Sequence, residues 1–338
     1  MALVLRLLAV ALAVATMGFV NQSDAAARRF SPGLVSTADH LRSAKAARSL
    51  GADAVRVEFD IGTRPAAMRR TMRALAKRGV RALLLAGFHG RMPTRAEARN
   101  LGSWAAEFGP GGRFWERRDR DVPVLRIEFG NETSYVDQYG DTYSDPSYTA
   151  RARLYATRFR QAHAAIARTH RNVGLLAQAD DGGTASPAWV NGLYAAVPRF
   201  HRLVDGWTIH PYGPRARWEP KLRRLISQTR ARGAPARIPI DITEYGISTD
   251  NGTALSDNYG WPTNQTYAQA ASALGRTAAA LRADRPIGRR LRSFMLYAAH
   301  DLSPHRASRD REQYFGALRR NLRDKGAYSA WVRRLFRG

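Results

Sequence analysis

Apolar runs alternate with amphipathic, arginine-rich stretches along most of the chain. Residues 80–88 are almost continuously apolar, the pattern of a strand covered on both faces of a parallel sheet. Further runs at 29–36, 54–59, 122–129, 173–178, 204–209, 238–243 and 291–299 predict seven more strands. Helices are predicted over 38–49, 64–78, 94–107, 150–169, 187–196, 219–232 and 264–283, the first two stopping at Gly51 and Gly79. Residues 133–148 and 248–262 read as long loops. Residues 311–336 read as a basic helical tail, with Trp331, Leu335 and Phe336 as docking residues.

Strands and helices in this alternation imply an α/β chain built as a single closed (β/α)8 TIM barrel. An open doubly wound sheet usually carries a glycine-rich phosphate loop after its first strand. No G-x-G-x-x-G or P-loop signature occurs here. No linker or low-complexity spacer divides the chain, so residues 28–338 are expected to form one catalytic domain.

The first residues add an expectation about location. Arg6 precedes an apolar run from Leu7 to Val20, and small residues follow at Ser23 and Ala25 to Ala27. This predicts a secretory signal peptide over residues 1–27. An uncleaved anchor is the alternative, and both place the remainder outside the cytoplasm as a secreted or anchored protein. No other stretch is suited to span a bilayer, so no transmembrane segment is expected after signal removal.

The chain has 338 residues, 44% of them hydrophobic, and no cysteine. It can bury a large core without disulfides, and cysteine-ligated zinc and thiol chemistry are excluded. The formal charge is +26. Among the basic residues only Lys45, Lys77, Lys221 and Lys325 are lysines. Such a surface suits acidic partners, an acidic glycan or the cell envelope, although scattered arginines also follow from composition alone. No nucleic-acid motif is present, so no specific nucleic acid is expected.

Two segments carry the candidate chemistry. Arg126 to Glu132 (RIEFGNE) and Ile240 to Gly246 (IDITEYG) each read as a strand that stops on a glutamate. In a barrel of this kind, chemistry sits at the C-terminal ends of strands. Two carboxylates there suit a retaining glycosidase, in which one protonates the leaving oxygen and the other attacks the sugar carbon. Other polar residues at predicted strand ends are Arg56, His89, Asn131, His210, Tyr212, Tyr297, His300 and Asp301. Arg56 and Glu58 share a strand face, as do Arg126 and Glu128, so a buried ion network is a second use for them. Glu58 and Asp60 are further candidate acids. Aromatic platforms for sugar faces are offered by Tyr135, Tyr139, Tyr143, Tyr148, Trp218, Tyr259 and Trp261.

The ordered set Arg56, His89, Asn131–Glu132, His210-x-Tyr212 and Glu244 resembles clan A of the glycoside hydrolases, and most closely its family five of cellulases, mannanases and relatives. The resemblance spans nearly all of residues 28–338. It implies Glu132 as acid/base, Glu244 as nucleophile, and Arg56, His89, Asn131, His210 and Tyr212 as substrate-binding or orienting residues around a carbohydrate. Glu132 is then expected to have a raised pKa. Tyr297 stands where the family carries a strand-eight tryptophan, and Trp261 and Tyr297 are taken as sugar-stacking candidates.

No cofactor or metal is expected. A metal-dependent hydrolase would draw on His89, His210, His300 and Asp241 or Asp301, but no H-x-H or H-E-x-x-H occurs. A non-catalytic glycan-binding barrel and a basic DNA- or envelope-binding protein are the remaining alternatives.

Overall fold

The computed structural model describes residues 30–116, 121–136, 138–178 and 186–337. The predicted signal at 1–27 lies outside the described residues. No helix among the described residues is long and apolar enough to cross a membrane.

Eight strands form a closed parallel barrel: β1 (Ser31–Val35), β2 (Ala54–Asp60), β3 (Arg81–Gly87), β4 (Arg126–Phe129), β5 (Gly174–Gln178), β6 (Gly206–Ile209), β7 (Ile240–Tyr245) and β8 (Leu291–Leu296). Each pairs with the next, and β8 closes on β1 through Ser31–Ser293 to Leu34–Leu296. The helices are α1 (His40–Leu50), α2 (Pro65–Ala76), α3 (Arg95–Phe108), α4 (Pro146–Ala167), α5 (Ser186–Ala196), α6 (Arg215–Ala231), α7 (Tyr267–Ala283), the short α8 (Arg285–Gly288) and α9 (Ala327–Arg337). The fold is therefore a single (β/α)8 TIM barrel.

Local sequence explains where the helices begin. Thr94 and Glu97 form a reciprocal capping box on α3, and Thr266 and Gln269 do the same on α7. Asp145 caps α4 and Pro146 occupies its first turn, so the helix starts earlier than predicted. Outward-facing strand residues and the inner helix faces make the main core. Phe129, Tyr155, Phe159, Trp189 and Phe200 pack there edge to face or tilted.

Inside the barrel, residues are layered. At the bottom Asp241 accepts from Arg126 Nη1 (2.8 Å), Arg292 Nη2 (2.6 Å) and Ser293 Oγ (2.6 Å). Val35, Leu83, Leu176 and Met295 form an apolar cluster of their own. Arg56, Glu128, Thr243 and His210 form a second polar layer.

The tail departs from its predicted helix. Only a 3-10 turn at Arg311–Gln313 and α9 are helical. Residues 314–326 instead run irregularly, first alongside residues 298–301 after β8, with Ala298 N–H bonded to Phe315 O and Ala317 N–H to Ala298 O. Gly316 permits this approach, since a Cβ there would stand 2.0 Å from Asp301 N. Lys325, fully buried, donates to Asp301 Oδ1 (2.8 Å), Tyr314 O (2.9 Å) and Gly316 O (3.1 Å). Trp331, Leu335 and Phe336 pack on the core from α9.

Candidate active site

The strand ends on one face of the barrel surround a cleft of about 550 Å3. Among its lining residues are Arg56, Glu58, Asp60, His89, Asn131, Glu132, Tyr212, Glu244, Tyr259, Tyr297 and Glu312.

Glu132 reaches this cleft through a turn that glycine makes possible. Gly130 has φ +81°, and a Cβ there would come within 2.4 Å of Thr133 Cγ2 and 2.7 Å of the Phe88 ring. The turn releases Asn131 and Glu132 from the strand and aims both inward. Thr133 N–H bonds Gln178 Oε1 at 2.9 Å, and Arg151 holds both Thr133 O (2.5 Å) and Asp141 (2.9 Å). These contacts fix the loop that follows.

Glu244 arrives by a different device. Asp241 and Thr243 face the barrel interior, so strict alternation would send Glu244 outward. Between Ile242 and Tyr245, β7 carries one more residue than β8 carries between Phe294 and Leu296. This bulge turns Glu244 into the mouth while Tyr245 goes to the outer core, where its hydroxyl donates to Gly213 O at 2.7 Å.

The two carboxylates are neighbours. One oxygen of each, together with a ring nitrogen of His210, lies within 4.8 Å of the others. Arg56 organises one side: Nη1 donates to Glu244 Oε1 (2.5 Å), Nη2 to Asn131 Oδ1 (2.7 Å) and Nε to Glu128 Oε2 (2.6 Å). The Tyr212 hydroxyl donates to Glu244 Oε2 at 2.9 Å. Burial and the neighbouring Glu244 charge keep that phenol's pKa well above its ordinary value, so it remains a donor. His210 Nδ1 lies 3.0 Å from Glu132 Oε1 and 3.7 Å from Glu244 Oε2, and Gln138 Nε2 caps Glu132 Oε2.

Electrostatics around Glu132 differ from the sequence expectation. Burial pushes its carboxyl up, but the hydrogen bond and charge of His210 outweigh burial and hold it below the usual range. Burial pulls His210 down, while Glu244 and Glu132 together push it above its ordinary value. Each group is thus a cause of the other's shift: the imidazole lowers the carboxyl and the carboxylate raises the imidazole.

Of the other predicted residues, His89 stands on the outer wall, 59% exposed, with Nε2 3.7 Å from Asp60 Oδ2. His210 lies under the floor rather than in the lining. Tyr297 lines the cleft and meets Tyr212 and Phe315 edge on. Tyr259 also lines it, stacked on Tyr212 with centroids 4.6 Å apart. Trp261 packs against the core cluster and is absent from the lining, as are Trp218 and Tyr148, both buried. Tyr135, Tyr139 and Tyr143 are not in the lining either. Glu58, pushed up by burial, does face the cleft. Glu128 and Thr243, whose contacts support the site from below, carry no signal of their own beyond facing inward on their strands.

Among the described residues, Glu132, His210 and Glu244 are the set of acidic and imidazole donors within reach of one cation. They do not fit that use, because Arg56 and Tyr212 already occupy both oxygens of Glu244 and the guanidinium opposes a second positive charge. The residues drawn on for a metal hydrolase are dispersed: Asp241 is sealed in the barrel floor, and His300 bonds Thr37 and the Asp301 carbonyl.

No family model matches the sequence, and no curated protein matches it. Solved structures do resemble this fold. A family 39 glycoside hydrolase from Bacteroides cellulosilyticus WH2 aligns with TM-score 0.59 and 17% identity over 90% of this chain and 63% of its own. A fungal β-1,4-galactanase aligns with TM-score 0.58 and 11% identity over 86% of this chain and 90% of its own. A family 1 β-glucosidase from Thermotoga maritima aligns with TM-score 0.50 and 13% identity over 86% and 85%. The chain has the barrel fold of these glycoside hydrolases. It spans less than two thirds of the family 39 enzyme's length. At these identities the likeness is one of fold, and it does not single out family five.

Proposed function

We propose that this chain is a retaining glycoside hydrolase that cleaves a β-glycosidic bond of a poly- or oligosaccharide by double displacement. The observation that carries the reading is the pair Glu132 and Glu244, with oxygens within 4.8 Å across one cleft mouth. Carboxyl groups roughly 5–5.5 Å apart leave no room for an intervening water and suit direct attack.

In this reading Glu244 is the nucleophile. Arg56 and Tyr212 hold its two oxygens and keep it oriented toward a sugar C1. Glu132, fed from His210, protonates the leaving oxygen and then takes a proton from the attacking water. Asn131, fixed by Arg56, is positioned to meet a sugar hydroxyl. Tyr297 offers an aromatic ring in place of the strand-eight tryptophan, Tyr259 backs the wall between Tyr212 and Arg311, and His89 contributes at the outer wall. The fold likeness to a family 39 glycoside hydrolase, a galactanase and a β-glucosidase supports the reading without fixing the sugar.

The cleft chemistry favours a neutral sugar at the point of cleavage. Five acidic side chains line it against one arginine, in a chain with 54 basic and 28 acidic residues. The positive charge therefore lies elsewhere on the molecule, where it suits contact with an acidic glycan or envelope surface. Export, as residues 1–27 suggest, fits such a setting, and sequencing the N-terminus of protein recovered from the medium tests it.

The deciding experiment is covalent trapping. A panel of 2-deoxy-2-fluoro β-glycosides is incubated with the protein, followed by peptide mass spectrometry. A label on Glu244 is expected, together with loss of polysaccharide turnover in Glu244→Gln. Full turnover in that variant, or a label on another carboxylate, overturns the assignment.

A further inference from the structure

Beneath the two carboxylates runs a chain of hydrogen bonds whose direction is fixed at one end. Arg56 Nε donates to Glu128 Oε2 at 2.6 Å in a pair that is almost completely buried. A carboxylate paired in this way only accepts. Thr243 Oγ1 gives its single hydrogen to Glu128 Oε1 at 2.8 Å. With that hydrogen committed, Thr243 can keep its contact to His210 Nε2 (3.1 Å) only by accepting from it. Nε2 therefore carries a hydrogen. The other ring nitrogen, Nδ1, faces Glu132 Oε1 at 3.0 Å.

We propose that Glu128, acting through Thr243, is a positioning residue that locks His210 in its Nε2–H tautomer, so that Glu132 and His210 must hold one further proton between Nδ1 and Oε1. The inference rests on the reading of Glu132 as acid/base. Its physical content is the removal of one alternative. A free imidazole would turn its hydrogen to Nδ1 and bond a deprotonated Glu132. The locked imidazole cannot, and a deprotonated Glu132 then meets a bare lone pair.

The consequence differs between the two half-reactions. In the first, the shared proton passes from Glu132 to the leaving oxygen, the C1–O pair of electrons goes to that oxygen, and Glu244 bonds C1. Glu132 is left as a carboxylate against the Nδ1 lone pair. That unfavourable contact strengthens it as a base for the second half, where it takes a proton from the water that attacks C1 and displaces Glu244. The charged groups acting on the pair are Arg56, Glu128 and Glu244 from the barrel and Lys221 from α6, with the Tyr212 phenol nearby.

The test compares the intact wild-type chain with Thr243→Val, Thr243→Ser and Glu128→Gln. Nitrogen NMR of 15N-histidine-labelled protein above the titration of His210 reads the tautomer directly, the signal being assigned by its loss in His210→Asn. Wild type and Thr243→Ser are expected as Nε2–H. Thr243→Val is expected to move to Nδ1–H, and Glu128→Gln to a mixture, since its amide can donate as well as accept. In pH–rate profiles, Thr243→Val is expected to move the alkaline limb to lower pH by about one unit, with Thr243→Ser restoring it. An Nδ1–H imidazole in wild type overturns the proposal, as does a Thr243→Val profile and spectrum equal to wild type. The NMR arm needs no substrate, so a chain that cleaves no glycoside fails the functional reading while leaving the tautomer decided on its own.

Discussion

Arg56 joins Glu244 above it to Glu128 below it, through Nη1 at 2.5 Å and Nε at 2.6 Å. One guanidinium thus couples the cleft to the polar layer inside the barrel. The sequence reading offered two uses for Arg56, cleft residue or buried ion network, and the structure has both at once. Arg126 takes no part with Glu128, pairing instead with Asp241 one layer down.

Arg56→Ala should therefore damage both stability and activity. It strands Glu128, which is 1% exposed, without its cation, a loss expected to cost about 3–5 kcal/mol. Thermal unfolding measures the first effect and kcat on an aryl glycoside the second. Arg56→Lys keeps one charge but not three directed donors, and should retain fold while losing at least about tenfold in kcat.

Glu132→Ala should separate the two half-reactions. With a good leaving group the first step needs little acid help, so the glycosyl-enzyme accumulates and a burst is expected. Added azide, which needs no general base, should then raise turnover by about ten- to a hundredfold and yield a glycosyl azide. The absence of both burst and rescue counts against Glu132 as acid/base.

The pair Glu132–His210 sets a pH signature on stability. A carboxyl held below its ordinary 4.5 contributes stability that is present above pH 4.5 and is lost as pH falls through its folded value. An imidazole held above its ordinary 6.5 contributes stability that is present below pH 6.5 and is lost as pH rises through its folded value. The pair's contribution is therefore full between about 4.5 and 6.5. The difference in Tm between wild type and His210→Asn should be largest in that window and shrink on both sides. A difference that stays constant with pH is the contrary result.

Asp301→Ala should loosen the segment that runs alongside residues 298–301 after β8. It leaves Lys325 buried with only carbonyl partners, and burial already holds that ammonium below its ordinary pKa. A loss of about 3–5 kcal/mol is expected. The double variant Asp301→Ala/Lys325→Met should lose less than the Asp301→Ala and Lys325→Met changes summed, because neither charge is then stranded. Denaturant melts of the four proteins give the comparison.

Much of this arrangement was legible along the chain. Continuous apolar runs such as 80–88 mark strands covered on both faces, and the two glutamates follow the alternating runs 126–129 and 240–243. What periodicity could not convey is local geometry. Alternation from Asp241 and Thr243 sends Glu244 the wrong way, and only the bulge against β8 corrects it. Trp261 and Tyr259 look equivalent in a loop two residues apart, yet one packs inward and the other lines the cleft. A raised pKa on Glu132 follows from burial alone; the bond to His210 reverses it. The tail has helical composition, but Gly316 and the burial of Lys325 favour an irregular path.

Phe315 meets Tyr212, Tyr259 and Tyr297 ring to ring, and Glu312 stands in the cleft lining. The wall beside the reacting groups is thus made last, from chain that follows the eighth strand. A nascent polypeptide that has closed its barrel still lacks that wall until these residues have emerged and folded back. Completion of the cleft is accordingly a late event in the protein's synthesis, and chains interrupted before residue 312 would lack Glu312 and the Phe315 ring beside it.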